Sequence, residues 1–308
     1  MSSQAPALAG QRAGWSTIGA YIALTKPRII ELLLVTTLPT MVVARRGLPS
    51  LGLMLATLVG GALAAGGANA INMVVDRDID KLMKRTKARP LVTGAMTPRA
   101  ALIFALTLEV AAFVELALAV NLLSALLAVS ATLFYVFVYT LWLKRRSSQN
   151  IVIGGAAGAV PVLVGWAAVT DSLAWAPVVL FAIIFIWTPP HFWSLAVRYK
   201  EDYAAADVPM LPVVASMKRT TSEIVLYTVA LVAGTLAFAS IAHMGLTYLV
   251  VAVVAGAGYL ALAARLWALA HRSSPIEGEA MRLFGYSITY LTVLFAAMAV
   301  DVFVRRIH

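Results

Sequence analysis

The chain has 308 residues, 61% of them hydrophobic and 12% charged, with a mean hydropathy of +0.88. Soluble domains average about 45–50% apolar and about 25% charged residues, so an ordinary soluble enzyme, a disordered chain and a disulfide scaffold are excluded. With no cysteine, thiolate metal sites and cysteine nucleophiles are excluded too. The net charge of +10 is assigned to a membrane rather than to nucleic acid, because cytoplasmic loops of membrane proteins collect Lys and Arg.

Residues 1–20 carry Arg12 but no compact apolar run followed by a small-residue cleavage site. They are expected to form an N-terminal cytoplasmic tail, with residues 21–308 as a single polytopic domain. A membrane span needs about 20 mostly apolar residues. Nine such segments follow, at 29–46, 51–75, 99–119, 122–142, 150–170, 174–196, 222–243, 246–268 and 284–304. None shows the alternation of a membrane barrel, so an all-α bundle of nine transmembrane helices is expected. Lys26-Pro27-Arg28 opens the first span, where proline suits a helix start and the cations can anchor the helix or reach an anion. Gly60, Gly61, Gly66 and Gly67 read as close helix packing.

The basic residues set the orientation. With the N-terminus inside, 20 of the 24 Lys and Arg fall on the inner side, leaving Arg45, Arg46, Arg305 and Arg306 outside. The C-terminus is then outside, and Lys144–Arg146 read as topology charges.

Two inner loops hold six of the 14 acidic residues, although acids contribute little to orientation. In the first, Asn72, Asp76 and Asp80 are spaced i, i+4, i+8. On a continued helix they share one face, while Asp78 points away. Stacked carboxylates repel unless a cation lies between them, and an oxygen-only set favours Mg²⁺ completed by substrate phosphates and water. Lys81, Lys84, Arg85 and Arg89 beside them can neutralise a diphosphate. The second loop carries Tyr199, Lys200, Glu201, Asp202, Tyr203 and Asp207. Asp202 is its best ligand candidate and Lys200 a candidate phosphate contact, whereas Glu201 and Asp207 read as solvated acids. Four spans separate the loops, which predicts pseudo-repeated four-helix units with a site between them.

Trp187, Thr188, Pro189, Pro190, His191, Phe192 and Trp193 end the sixth span. The two prolines remove backbone donors and are expected to break the helix. A neutral His191 can ligate haem iron or steady the break by hydrogen bonding. Glu31, Glu109 and Glu115 lie in or near spans and receive no role. No Walker motif, dinucleotide fingerprint, zinc helix or hydrolase elbow is present.

Asn72, Asp76 and Asp80 resemble the first aspartate-rich motif of the UbiA superfamily of intramembrane prenyltransferases. The longer string Asp76–Asp80 with Met83, Thr86, Arg89 and Pro90, then Thr188–Trp193 and Tyr199–Tyr203 followed by Pro209–Pro212, together with Thr25–Arg28, resemble its haem-modifying branch. The likeness covers about residues 24–304. It implies nine helices around a central cavity, with two aspartate-rich loops on the cytoplasmic face of a bacterial-type plasma (inner) membrane. It implies Mg²⁺-dependent transfer of farnesyl from farnesyl diphosphate to a vinyl group of haem b, with water completing the side chain of haem O. Haem b is then a substrate, not a cofactor. Asn72, Asp76, Asp80 and Asp202 are implied as the catalytic Mg²⁺–diphosphate ligands. Arg28, Lys81, Arg85, Arg89 and Lys200 become diphosphate contacts, His191 the haem-binding candidate, and Tyr199 and Tyr203 further second-loop candidates. Many superfamily members carry Asp where Tyr199 stands; the haem branch shares the tyrosine. The lipid bilayer, a downstream haem A synthase and oxidase assembly factors are candidate partners, and nucleic acid is not. The competing readings are prenylation of an aromatic quinone precursor and a non-enzymatic haem carrier or transporter.

Overall fold

The computed structural model describes residues 15–307, without the side chains of residues 28, 29, 31–34, 306 and 307. Among the described residues the chain is helical with no strands. The elements are α1 (Thr17–Thr25), α2 (Pro27–Arg45), α3 (Leu51–Val75), α4 (Arg77–Asp80), α5 (Pro90–Thr93), α6 (Pro98–Ala119), α7 (Leu122–Leu133), α8 (Asn150–Thr170), α9 (Trp175–Arg198), α10 (Lys200–Ala205), α11 (Leu211–Val214), α12 (Met217–Ile241), α13 (Leu246–His271) and α14 (Glu277–Ile307). A π-helical stretch, Phe134–Thr140, continues α7.

Eight of these helices are long and apolar enough to cross a membrane, with α7 and its extension counted as one. α2 coincides with the first expected span, but part of it lies outside the described side chains, and it is not among the eight. The protein is a multi-pass membrane protein. Expected spans and observed helices agree closely because a run of about 20 apolar residues has one stable form in lipid: a helix that satisfies its own backbone.

The long helices close a ring in the order α3, α2, α14, α13, α12, α9, α8, α7, α6 and back to α3. Contacts of α2 with α8 and of α9 with α14 cross its middle. The main core is built from α2, α8, α9 and α12–α14, around Trp193, Phe238, Tyr248, Tyr259, Tyr290 and Phe295. Large apolar residues such as Leu118, Val110, Leu226 and Val254 lie exposed on the outer surface, which suits a lipid solvent. Two clefts, of about 310 and 340 Å³, lie between α13 and α14 and beside Arg46 and Arg305. Neither is the expected central cavity.

Residues 1–14 of the expected tail lie outside the described residues; the lead-in to the first span forms α1, whose Ala20 and Leu24 are buried against Ala70, Met73 and Leu91. One expectation is corrected: the break at Pro189-Pro190 is absent, since α9 runs through both prolines. Each proline lacks an N–H, yet α8, α12 and α14 enclose the helix. Thr188 Oγ1 donates to Ile184 O at 2.8 Å and Ser194 Oγ to Pro190 O at 2.6 Å. Tertiary packing overrides the local rule.

The glycines of α3 act as expected. A Cβ on Gly67 would meet the Glu109 side chain at 2.6 Å, and one on Gly60 would lie 2.5 Å from Leu116 Cγ. We expect Gly60→Ala to separate α3 from α6 and cost about 1–3 kcal/mol. This would be seen as a lower thermal midpoint of the detergent-solubilised protein; an unchanged midpoint would refute the close packing.

Candidate active site

α3 ends at Val75, and Asp76 leaves helical geometry (φ −83°, ψ 4°) before α4 begins. The register survives this step. Asp76 N bonds Asn72 O and Asp80 N bonds Asp76 O, each at 2.9 Å. Asn72, Asp76 and Asp80 are therefore buried on one face, while Asp78 is exposed. The i, i+4, i+8 reading holds across a helix end.

Buried carboxylates need partners, and other elements supply them. Lys26, in a left-handed hinge between α1 and α2 (φ 53°), donates Nζ to Asn72 Oδ1 at 2.8 Å. Asn72 Nδ2 donates to Asp76 Oδ2 at 2.7 Å and to Thr140 Oγ1 at 3.2 Å. Lys144 pairs with Asp76 through the same carboxylate oxygen. Arg89 Nη1 donates to Asp80 Oδ2 at 2.5 Å. Arg145 grips Asp78 with two 2.6 Å bonds and lies 3.8 Å from Asp76 Oδ1. Asp76 Oδ1 is buried with no hydrogen-bond partner among the described residues.

This crowding of charge has electrostatic consequences. Burial, then the neighbouring Arg89 and Lys144, pull Lys26 down to about 7, against the pull of Asp76 and Asp80. The hydrogen bond from Arg145 holds Asp78 at about 2.

The second acidic loop closes onto the first. Asp202 is buried and accepts the Arg85 backbone N–H at 3.3 Å. The Arg85 guanidinium lies 5.9 Å from the centre of the Tyr199 ring. Burial raises the Tyr203 hydroxyl, with Arg85 opposing. Ile79 and Met83 pack against Ala196, Ala206, Val208 and Met210, with Tyr139 and Tyr203 alongside. This apolar clamp joins the loops.

Asn72, Asp76, Asp80, Arg89, Arg85, Asp202, Tyr199 and Tyr203 are thus brought into one region. The side chains of Lys81 and Lys200 are exposed and make no ion pair or hydrogen bond among the described residues. The side chain of Arg28 lies outside the described residues. His191 is not part of this cluster. It is buried in α9, stacked between Trp187 (4.2 Å) and Phe284 (4.5 Å), with Nδ1 2.6 Å from Ser287 Oγ.

Sequence reasoning assigned Lys144 to topology, and it left Thr140 unnoticed. Thr140 ends the π-helical stretch and Lys144 follows it; the wider turn sets Thr140 against Asn72 and leads Lys144 to Asp76. The available signal was the aromatic run Phe134–Tyr139, followed by a threonine and, four residues on, a lysine at the same membrane border.

Residues 33–288 match the UbiA prenyltransferase family. The chain belongs to that family. A relative from Streptomyces avermitilis, named protoheme IX farnesyltransferase, is 53% identical over 96% of this chain and 97% of its own. One of the same name from Frankia alni is 56% identical, covering 92% and 97%. Among solved structures, a UbiA homolog from Archaeoglobus fulgidus bound to GPP and Mg²⁺ matches with a TM-score of 0.60 at 18% identity, covering 91% of this chain and 99% of that one. That likeness carries the UbiA fold.

We expect Lys144→Met to strand the Asp76 carboxylate and destabilise the protein by about 1–3 kcal/mol. Adding Asp76→Asn should recover most of the loss. Thermal midpoints of the two single variants and the double variant test this, and additive losses would contradict the pairing.

Proposed function

We propose that the protein transfers the farnesyl group of farnesyl diphosphate to a vinyl group of haem b, with addition of water, giving haem O and diphosphate. The observation that carries this reading is the buried face of Asn72, Asp76 and Asp80, met by Lys26, Lys144 and Arg89 and adjoined by Asp202. The relatives' name supports haem as acceptor, and the Mg²⁺ in the related structure supports metal dependence.

The donor set fits Mg²⁺. It is all oxygen, and Asp76 Oδ1 is buried without a hydrogen-bond partner among the described residues. No three acidic or imidazole side chains converge among the described residues, in keeping with a hard cation that takes its other ligands from phosphate and water. Asn72, Asp76 and Asp80 on the first loop would hold it with the diphosphate, and Asp202 would act from the second loop rather than in one converged ligand set. When bound it makes diphosphate a better leaving group by neutralising developing charge.

The protein's own cations do the rest. Lys26, Arg28, Arg85, Arg89 and Lys144 would hold the diphosphate and stabilise its charge as the carbon–oxygen bond breaks. The leaving diphosphate keeps the electron pair. The reading requires an apolar enclosure that keeps water out until the haem vinyl carbon has captured the allylic cation. Water then adds to the porphyrin-stabilised cation and loses a proton. No strong base is needed for the first step.

His191 is proposed on the haem side. In the iron-binding reading His191 Nδ1 is the donor of its 2.6 Å contact with Ser287 Oγ. Nε2 is then the unprotonated nitrogen, the form that ligates iron. We expect His191→Ala to change the haem absorption spectrum and leave farnesyl diphosphate affinity near wild type; the reverse result would move His191 to the diphosphate site. Topologically, the acidic loops and N-terminus are proposed to face the cytoplasm of a bacterial-type plasma membrane, with the C-terminus outside. This rests on the split of 20 against four basic residues.

The deciding experiment incubates purified protein with haem b, farnesyl diphosphate and Mg²⁺, followed by mass analysis of the haem. We expect a farnesyl-plus-water mass gain that disappears with Asp76→Asn or when the metal is chelated. Haem of unchanged mass, with an aromatic quinone precursor prenylated instead, would replace the acceptor. Haem binding without release of diphosphate would point to a carrier.

A further inference from the structure

At the end of the bundle opposite the acidic loops, the four basic residues left outside by the orientation count fall at two helix ends, the last turn of α2 and that of α14. The structure brings these ends together on the turn between α12 and α13. Arg46 donates Nη2 to Ala242 O at 2.8 Å, and Arg305 donates Nη1 to His243 O. Arg46, Arg305 and His243 line a cleft of about 340 Å³ with Asp301 and Val302.

Three features make this cleft anion-seeking. Each guanidinium has five N–H donors, and each is recorded spending one on the turn. No carboxylate lies within 4 Å of Arg46 or Arg305 among the described residues. The one acid present is already engaged: buried Asp301 accepts Gly245 N at 2.6 Å and Tyr248 N at 3.2 Å, capping the start of α13. Among the described residues the two guanidinium charges therefore face a single carboxylate, Asp301, which leaves the cleft net positive. Leu48, Leu51, Leu246 and Phe303 nearby in the chain are exposed and apolar, which sets the cleft at the level of lipid headgroups. An anion at that depth, matched by two planar guanidinium forks, is a lipid phosphate. Basic pockets between membrane helices bind anionic headgroups by this chemistry.

We propose that the cleft of Arg46, Arg305 and His243 binds the phosphate headgroup of an anionic phospholipid in the leaflet at this end of the bundle. The contact would pin the ends of α2 and α14 to the α12–α13 turn, far from the acidic loops. It is independent of the proposed reaction.

The test is native mass spectrometry of the purified full-length protein with equal amounts of phosphatidylglycerol and phosphatidylcholine. We expect phosphatidylglycerol to be retained about tenfold over phosphatidylcholine, and Arg46→Gln with Arg305→Gln to abolish the preference. A preference that survives in the double variant overturns the location. Should that variant not fold, the wild type alone decides: equal retention of the two lipids overturns the proposal. Millimolar inorganic phosphate is the second arm. Undiminished phosphatidylglycerol binding supports a lipid, whereas displacement by phosphate, with phosphate bound in its place, would make the ligand a free anion.

Discussion

Asp76 is wholly buried at the border of the membrane, and the surrounding structure answers to that fact. Removing a carboxylate from water costs several kcal/mol unless charge and hydrogen bonds replace the lost hydration. Here Lys144 and Asn72 converge on one oxygen. Lys144 reaches it because α7 changes to a π-helix, Asn72 because α3 keeps its register past its own end. Asn72 is in turn held by Lys26 from the hinge before α2. One carboxylate thus fixes the relation of α3, the α7 extension and the start of α2. Its second oxygen has no hydrogen-bond partner among the described residues, only Arg145 at 3.8 Å, which leaves room for a further cation.

The rest of the site follows from joining two loops that the sequence keeps more than a hundred residues apart. Arg85 connects them: its backbone N–H meets Asp202 and its guanidinium faces Tyr199. The clamp of Ile79, Met83, Val208 and Met210 supplies apolar burial beneath these polar contacts. Stability there comes from the clamp, since paired charges near water are worth little. The polar groups above it are left for chemistry. The charges of such a site suit a diphosphate, whose arrival adds negative charge where burial and neighbouring cations already pull Lys26 down to about 7.

The helices were legible because hydrophobic length is a strong signal in a membrane chain. The first acidic face was legible because helical spacing is local: Asn72, Asp76 and Asp80 needed only an unbroken register. Arg89 beside Asp80 followed from proximity in sequence. What the sequence concealed depended on tertiary packing. Pro189 and Pro190 looked like a break, but enclosure by three helices keeps α9 continuous. Lys144 looked like a topology charge because one lysine serves both orientation and an ion pair, and its path to Asp76 runs through a π-turn that a 3.6-residue period does not describe. α1 was too short to register as a span, so its packing on α3 was invisible.

The central claim is that the two acidic loops form one site for one diphosphate. A double-mutant cycle on binding of an unreactive farnesyl diphosphate analogue, with Mg²⁺ present, tests it directly. Asp80→Asn, Asp202→Asn and the double variant are compared with wild type. If both residues serve one bound group, each substitution weakens binding and the double variant loses clearly less than the sum, with a coupling of about 0.5–3 kcal/mol. Strictly additive losses, or an Asp202→Asn variant that binds as wild type does, would contradict a shared site.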